Sequence, residues 1–284
     1  MIGMNKKEKL TTYQLALSKA PLSINSRRAY ASRVAQFLEW LPEGVDLAVD
    51  RDFIVRDYRQ HLKDAHRSPS TVNSHLDAVG HFCLSLGYGA PSVRHERLPQ
   101  ASPRTLEPRE QTLFLRAVEK TELSRDRAIA LLGFYTGLRV AEIAALNVED
   151  VVLSARKGTV TVWHGKGDHH RELPLHPEAR SAISDWQKDR GRPSTDALFI
   201  NQRGGRLSSR SICDIVAQLG ASVGLEISTH TLRHTFGTNL VRQGTDIVIV
   251  AELLGHSRLE STRRYSLPSA RDRAAAIDGL PVEG

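Results

Sequence analysis

Helical periodicity breaks off between residues 87 and 108, and that break constrains the fold more than any other feature of the chain. The stretch reads GYGAPSVRHERLPQASPRTLEP and holds Pro91, Pro99, Pro103 and Pro108. Prolines at this density remove backbone donors and cannot sit inside a helix or a central strand. Before the break the apolar residues recur at helical spacing. Tyr30, Val34, Phe37, Leu38 and Leu41 form one stripe, with Ser26 or Asn25 able to cap its start. Ile54, Tyr58 and Leu62 form a second, and Val72, Leu76, Val79, Cys83 and Leu86 a third that Gly87 closes. An earlier helix runs through Leu10, Tyr13 and Leu17. The expectation is a helical domain over 1–90, a linker over 91–106 and a second domain over 107–284, and 284 residues fit two ordinary domains. Arg94, Arg97 and Arg104 give the linker a basic character, suited either to a phosphate backbone or simply to solvent.

The second part mixes periods. Helices are expected at about 110–120, from Ser124 to about Tyr135, and from Val140 to Leu146, with Gly137 placed to end the second. Val160-Thr161-Val162-Trp163 and Arg171-Glu172-Leu173-Pro174-Leu175 read as strands of a hairpin whose tip carries Gly165, Lys166, Gly167 and Asp168. The remainder reads as helices at about 177–190, 209–223, 230–243, 246–254 and 258–265. The fold class is therefore mainly α with a small β-sheet or hairpin in the second domain.

Composition narrows the function. Hydrophobic residues at 40% and charged residues at 25% exclude a disordered chain. A net charge of +7 favours a polyanionic partner, because each Lys or Arg set on a phosphate releases condensed counterions. Cys83 and Cys213 are too few for a disulfide framework or a zinc cluster and fit a reducing cytoplasm. The N-terminus has no apolar stretch after its lysines, so it is no secretory signal. No run approaches the roughly 18 to 20 apolar residues of a membrane span.

Common enzyme motifs fail. Gly165-Lys166 has Val160 where a P-loop needs its first glycine, and Gly167 where it needs Ser or Thr. His230 and His234 have the spacing of a zinc protease, but Thr231 stands where its Glu belongs. His164, His169, His170 and His176 crowd the hairpin, an arrangement read as solvent-exposed or DNA-facing rather than as a metal cluster. What remains is basic. His230 and Arg233 share a face at the start of a helix that Ser228 or Thr229 caps, where free N–H groups and the dipole favour an anion. Leu253-Leu254-Gly255-His256-Ser257 ends one helix, and Tyr265 follows nine residues after His256. Arg139 opens a short helix within TGLRVAEIAAL.

Together and in this order, these residues resemble the tyrosine recombinase (phage integrase) family, whose pattern is Arg, Lys, His-x-x-Arg, His or Trp, then Tyr. The matching positions are Arg139, Lys166, His230 and Arg233 in HTLRHTFGT, His256 in LLGHS, and Tyr265 in STRRYS. The resemblance covers about 105–268, and the chain's size is similar to the compact Xer-type or transposon-resolving members. It implies a two-domain, C-shaped DNA clamp and a site-specific recombinase that cuts and rejoins strands through a 3′-phosphotyrosine. Tyr265 is then the nucleophile. Arg139 and Arg233 stabilise phosphate charge with planar forks that lysine cannot duplicate, and His256 adds a donor. His230 takes the phenol proton. Lys166 protonates the leaving 5′-oxygen. Glu142, three residues after Arg139, is expected to orient an arginine or His230. No cofactor, ATP or metal is required in this chemistry.

The implied partners are double-stranded DNA at a specific recombination site and three further copies of the chain, giving a homo-tetramer on two sites. Off DNA a monomer or weak oligomer is expected, in the cytoplasm at the nucleoid of a prokaryote, with room for accessory DNA-binding proteins and no membrane. The 19 residues after Tyr265 either form a helix that docks on a neighbouring subunit or fray. The rival readings are a type IB topoisomerase-like relaxase and a catalytically silent DNA-binding protein of the same fold.

Overall fold

The computed structural model describes residues 4–98, 104–154, 156–163, 170–191 and 193–255. The chain divides into two compact units, 1–100 and 101–284. Among its described residues the first contains four helices: α1 (Lys6–Lys19), α2 (Ile24–Trp40), α3 (Leu47–Asp64) and α4 (Pro69–Ser85). Each begins at a side chain that takes a free N–H of the first turn: Asn5, Ser23, Asp46 and Ser68. The cap of α2 is thus Ser23, not Ser26 or Asn25. Those two residues already lie in helical backbone, and the Ser23 hydroxyl accepts the Ser26 N–H at 3.1 Å.

The expected stripes meet in one core. Val34, Phe37, Leu38, Tyr58, Leu62, Val72, Leu76, Val79, Phe82 and Cys83 are all buried. Aromatic rings set its geometry, with Phe37 edge-on to Tyr58 at 5.0 Å and Tyr13 edge-on to Phe82 at 5.3 Å. The Tyr58 hydroxyl is satisfied at 2.9 Å by Nδ1 of buried His75. The start of the proline-rich stretch is tied down on this unit. The Ser92 N–H donates to Asp52, and Glu96 pairs with Arg59 at 2.7 Å while its N–H donates to Asn73.

The second unit contains α5 (Pro108–Lys120), α6 (Ser124–Thr136), α7 (Val140–Ala145), β1 (Val151–Leu153), β2 (Gly158–Trp163), β3 (His170–Pro174), α8 (Pro177–Asp189), α9 (Ser209–Ala221), α10 (Thr229–Arg242) and α11 (Ile247–Leu254). The strands form an antiparallel sheet in the order β1-β2-β3, with Val160 opposite Val151 on one side and Leu173 on the other. Strand β1 is an addition to the expected hairpin; at three residues it is too short to show a period. Helix α6 is the centre of the unit. Ala128 through Phe134 are all buried, and a helix apolar on every side belongs inside a core. Among the described residues no helix is long and apolar enough to cross a membrane.

Three local devices set the loops that matter. Gly137 ends α6 in the left-handed conformation, φ 60°, and Gly255 ends α11 the same way, φ 62°. Ser228 caps α10, its hydroxyl accepting the Thr231 N–H at 3.1 Å, which decides between Ser228 and Thr229. Arg206 closes α7, donating from one nitrogen to the carbonyls of Ala144, Ala145 and Leu146, groups a helix end leaves without partners.

Gly137 is constrained twice, since a Cβ there would lie 2.5 Å from Phe236 and 3.0 Å from Leu254. Gly137→Ala is therefore expected to destabilise the second unit by about 2 kcal/mol or more, through left-handed strain plus overpacking. Urea denaturation followed by circular dichroism measures this.

Candidate active site

Helix α11 ends in three successive carbonyls, Leu253, Leu254 and Gly255, and each accepts a hydrogen bond from a different arginine. Arg171 donates to Leu253 at 3.2 Å, Arg233 to Leu254 at 2.7 Å and Arg139 to Gly255 at 2.9 Å. A helix C-terminus concentrates unpaired carbonyls and the negative end of its dipole, so it draws cations. Arg233 also reaches the end of α6, donating to the Gly137 carbonyl at 2.6 Å. The left-handed turns at Gly137 and Gly255 thus both lie beside the arginines they help to hold.

Glu142 binds two of the three. Its Oε1 accepts from Nη1 of Arg139 at 2.8 Å and Nη1 of Arg171 at 3.0 Å. Its Oε2 accepts from the Arg139 backbone N–H at 2.8 Å and from Nη2 of Arg171 at 2.9 Å. Burial alone would push this carboxyl up. The Arg171 hydrogen bonds, the Arg139 N–H and the two guanidinium charges outweigh burial and hold it down at about 2. Among the described residues, three guanidinium groups stand against one carboxylate here, an excess of positive charge. Arg233 is buried and the Arg171 side chain nearly so, whereas the Arg139 side chain is 40% exposed and faces solvent.

The structure therefore brings Arg139, Glu142 and Arg233 together. His230 is exposed in the otherwise buried first turn of α10, one turn before Arg233, with its ring 6.5 Å from that of His234. Lys166, His256 and Tyr265 lie outside the described residues, as do the helix expected at 258–265 and the C-terminal tail. Arg171 is the member that the sequence reading missed. A signal was present: with period two, Arg171 falls on the same face of β3 as buried Leu173, and an inward-pointing arginine needs a partner. Among the described residues no group of three or more His, Cys, Asp or Glu could hold a metal ion.

Because the folded carboxyl of Glu142 titrates below its unfolded value, its stabilising contribution is complete above about pH 5. It is lost as the pH falls toward 2. Glu142→Gln is expected to cost about 3 kcal/mol at pH 7, the scale for breaking a buried ion pair, and to flatten the acid limb of stability. Chemical denaturation at pH 7, 4 and 3 tests both.

The chain is similar to known proteins over most of its length. Residues 104–271 match the model of the Phage integrase family. The chain is similar to Tyrosine recombinase XerA of Pyrococcus furiosus, 32% identical over 278 residues, covering 96% of this chain and 94% of the relative. It is similar to Tyrosine recombinase XerC of Shewanella amazonensis, 36% identical over 237 residues, 80% of this chain and 78% of the relative. Two solved structures share the fold. One is a XerH site-specific recombinase bound to difH substrate (TM-score 0.73, 21% identity, 95% of this chain and 84% of that one). The other is the Tn1549 transposon integrase with transposon right end DNA (TM-score 0.76, 16% identity, 98% and 99%). The family match spans more than half of the chain and the XerA likeness nearly all of it, so this chain belongs to the phage integrase family of tyrosine recombinases.

Proposed function

We propose that this protein cuts and rejoins double-stranded DNA at a specific site through a 3′-phosphotyrosine on Tyr265, without ATP. The observation that carries the reading is the arginine cluster on the end of α11, which lies directly before His256 in the chain and ten residues before Tyr265.

In this reading the Tyr265 phenolic oxygen forms a bond to phosphorus and the bond from phosphorus to the 5′-oxygen breaks. The pentavalent transition state adds charge to the nonbridging oxygens. Arg139 and Arg233, already held by main-chain carbonyls, supply fixed positive charge that needs no reorganisation as the reaction proceeds. A free phenol has a pKa near 10, so its full ionisation at pH 7 costs about 4 kcal/mol. His230 is the group assigned to take that proton, and His256 adds a donor to the phosphate. Lys166 is assigned to deliver a proton to the departing 5′-oxygen. The phosphotyrosine retains the energy of the phosphodiester, so attack by a second 5′-hydroxyl reseals the strand with no nucleotide consumed. No step calls for a metal or a cofactor.

The same reading extends to the assembly. Two recombination sites are brought together by four copies of the chain, which are monomeric or weakly associated off DNA. Its support is membership of the family and the net charge of +7. The cytoplasm, at the nucleoid, is the matching location.

The test uses fragmented DNA of the source genome, with EDTA and without ATP. Covalent protein–DNA adducts are recovered under denaturing conditions and sequenced. Adducts concentrated at one site with the wild type and absent with Tyr265→Phe are the expected result. Failure of the wild type to form any adduct, or an adduct that survives Tyr265→Phe, overturns the proposal.

A further inference from the structure

Arg171 is not among the residues matched to the family pattern above, yet it bonds both to Glu142 and to the end of α11. It ties its own strand to two separately encoded pieces of the site, the start of α7 and the end of α11. Its fork is bidentate on Glu142, at 3.0 and 2.9 Å, and that carboxylate in turn holds both the backbone and the side chain of Arg139. Its Nε donates to the Leu253 carbonyl. Its guanidinium lies close against Gly255, where a Cβ would stand 2.5 to 3.0 Å from three of its atoms. Gly255 immediately precedes His256, and Arg171 itself follows Lys166 by five residues in the chain.

We infer that Arg171 is a positioning residue for strand cleavage, acting through Glu142 on the phosphate-binding guanidinium of Arg139. The inference rests on the recombinase reading above. Each Glu142 oxygen accepts one hydrogen bond from Arg139 and one from Arg171, which removes the carboxylate's freedom to rotate. Arg139 is the most solvent-exposed of the three arginines, so its aim depends on how firmly that carboxylate is set. Without Arg171, Glu142 keeps its attachment to Arg139 but loses its anchor to β3, and the pair can move together. Lysine retains the charge but cannot reach both carboxylate oxygens and the Leu253 carbonyl at once, so charge alone does not replace the fork.

The test measures single-turnover cleavage by the full chain on a nicked duplex carrying the site recovered by adduct capture. Wild type, Arg171→Lys and Arg171→Gln are compared at saturating protein. Each runs on the natural phosphodiester and on a substrate with sulfur in place of the 5′-bridging oxygen. The sulfur leaves as a thiolate and needs no proton, so a defect in leaving-group protonation disappears on it. Expected are variants that bind the duplex like wild type but cleave it more slowly by about tenfold or more, the scale seen when the support of a site residue is removed. That defect is expected to be equal on both substrates. Recovery on the sulfur substrate overturns the inference, since Arg171 would then act through the hairpin's proton donor. Wild-type rates overturn it as well. So does a loss of folding or DNA binding in both variants that parallels the loss of cleavage, which would make Arg171 structural only. A wild type that forms no adduct fails the recombinase reading itself, before any variant is compared.

Discussion

The C-terminal end of α11 is the interaction on which the second unit's site depends. A helix that stops leaves its last carbonyls without donors, and a buried arginine is costly unless its N–H groups find acceptors. Each side supplies what the other lacks. Leu253, Leu254 and Gly255 present three carbonyls in succession, and Arg171, Arg233 and Arg139 take one each. The left-handed conformation of Gly255 turns the chain at this point, and the missing side chain leaves room for the Arg171 guanidinium. The positive charge that a phosphate would meet is therefore built into the way a helix ends.

The surrounding fold keeps those arginines in register. Helix α6 is buried along seven successive residues, so its end at Gly137 is fixed by the core, and the Gly137 carbonyl gives Arg233 its second acceptor. Helix α7 has only six residues, too few to hold its own direction. It is fastened at both ends by charged side chains, Glu142 with Arg139 and Arg171 at its start and Arg206 at its finish. Strand β3 carries Arg171 and Leu173 on its inner face, so the sheet that anchors one also places the other. Among the described residues, main-chain acceptors and the Glu142 carboxylate do the holding. The depressed pKa of Glu142 shows that the carboxylate stays ionised despite its burial.

The N-terminal unit is built on a different principle. Its core is a set of edge-on aromatic contacts among Tyr13, Phe37, Tyr58 and Phe82, closed by residues 92–96 pairing back onto α3 and α4. Its helices begin at short polar caps and bury stripes of ordinary amphipathic spacing. Shape and packing govern here, and no cluster of arginines on a helix end comparable to that of the second unit lies among its described residues.

Much of this was legible in the sequence, for local reasons. The stripes of α2, α3 and α4 follow from the 3.6-residue period, the stops at Gly137 and Gly255 from the freedom of glycine at positive φ, and the hairpin from alternation in β2 and β3. The motif residues Arg139, His230 and Arg233 could be chosen because their order and spacing resemble a family. What failed was also local: Ser23 rather than Ser26 or Asn25 caps α2, and β1 is too short to carry a pattern. Tertiary structure alone decided which distant residues meet. Arg233 bonds to Gly137 across 96 residues and Arg139 to Gly255 across 116, and no period or spacing encodes such a contact. Arg171 is the plainest case, an ordinary strand residue by sequence. Only the approach of β3 to α7 and α11 turns it into the clasp of the site, because a hydrogen-bond partner is a fact of three-dimensional proximity.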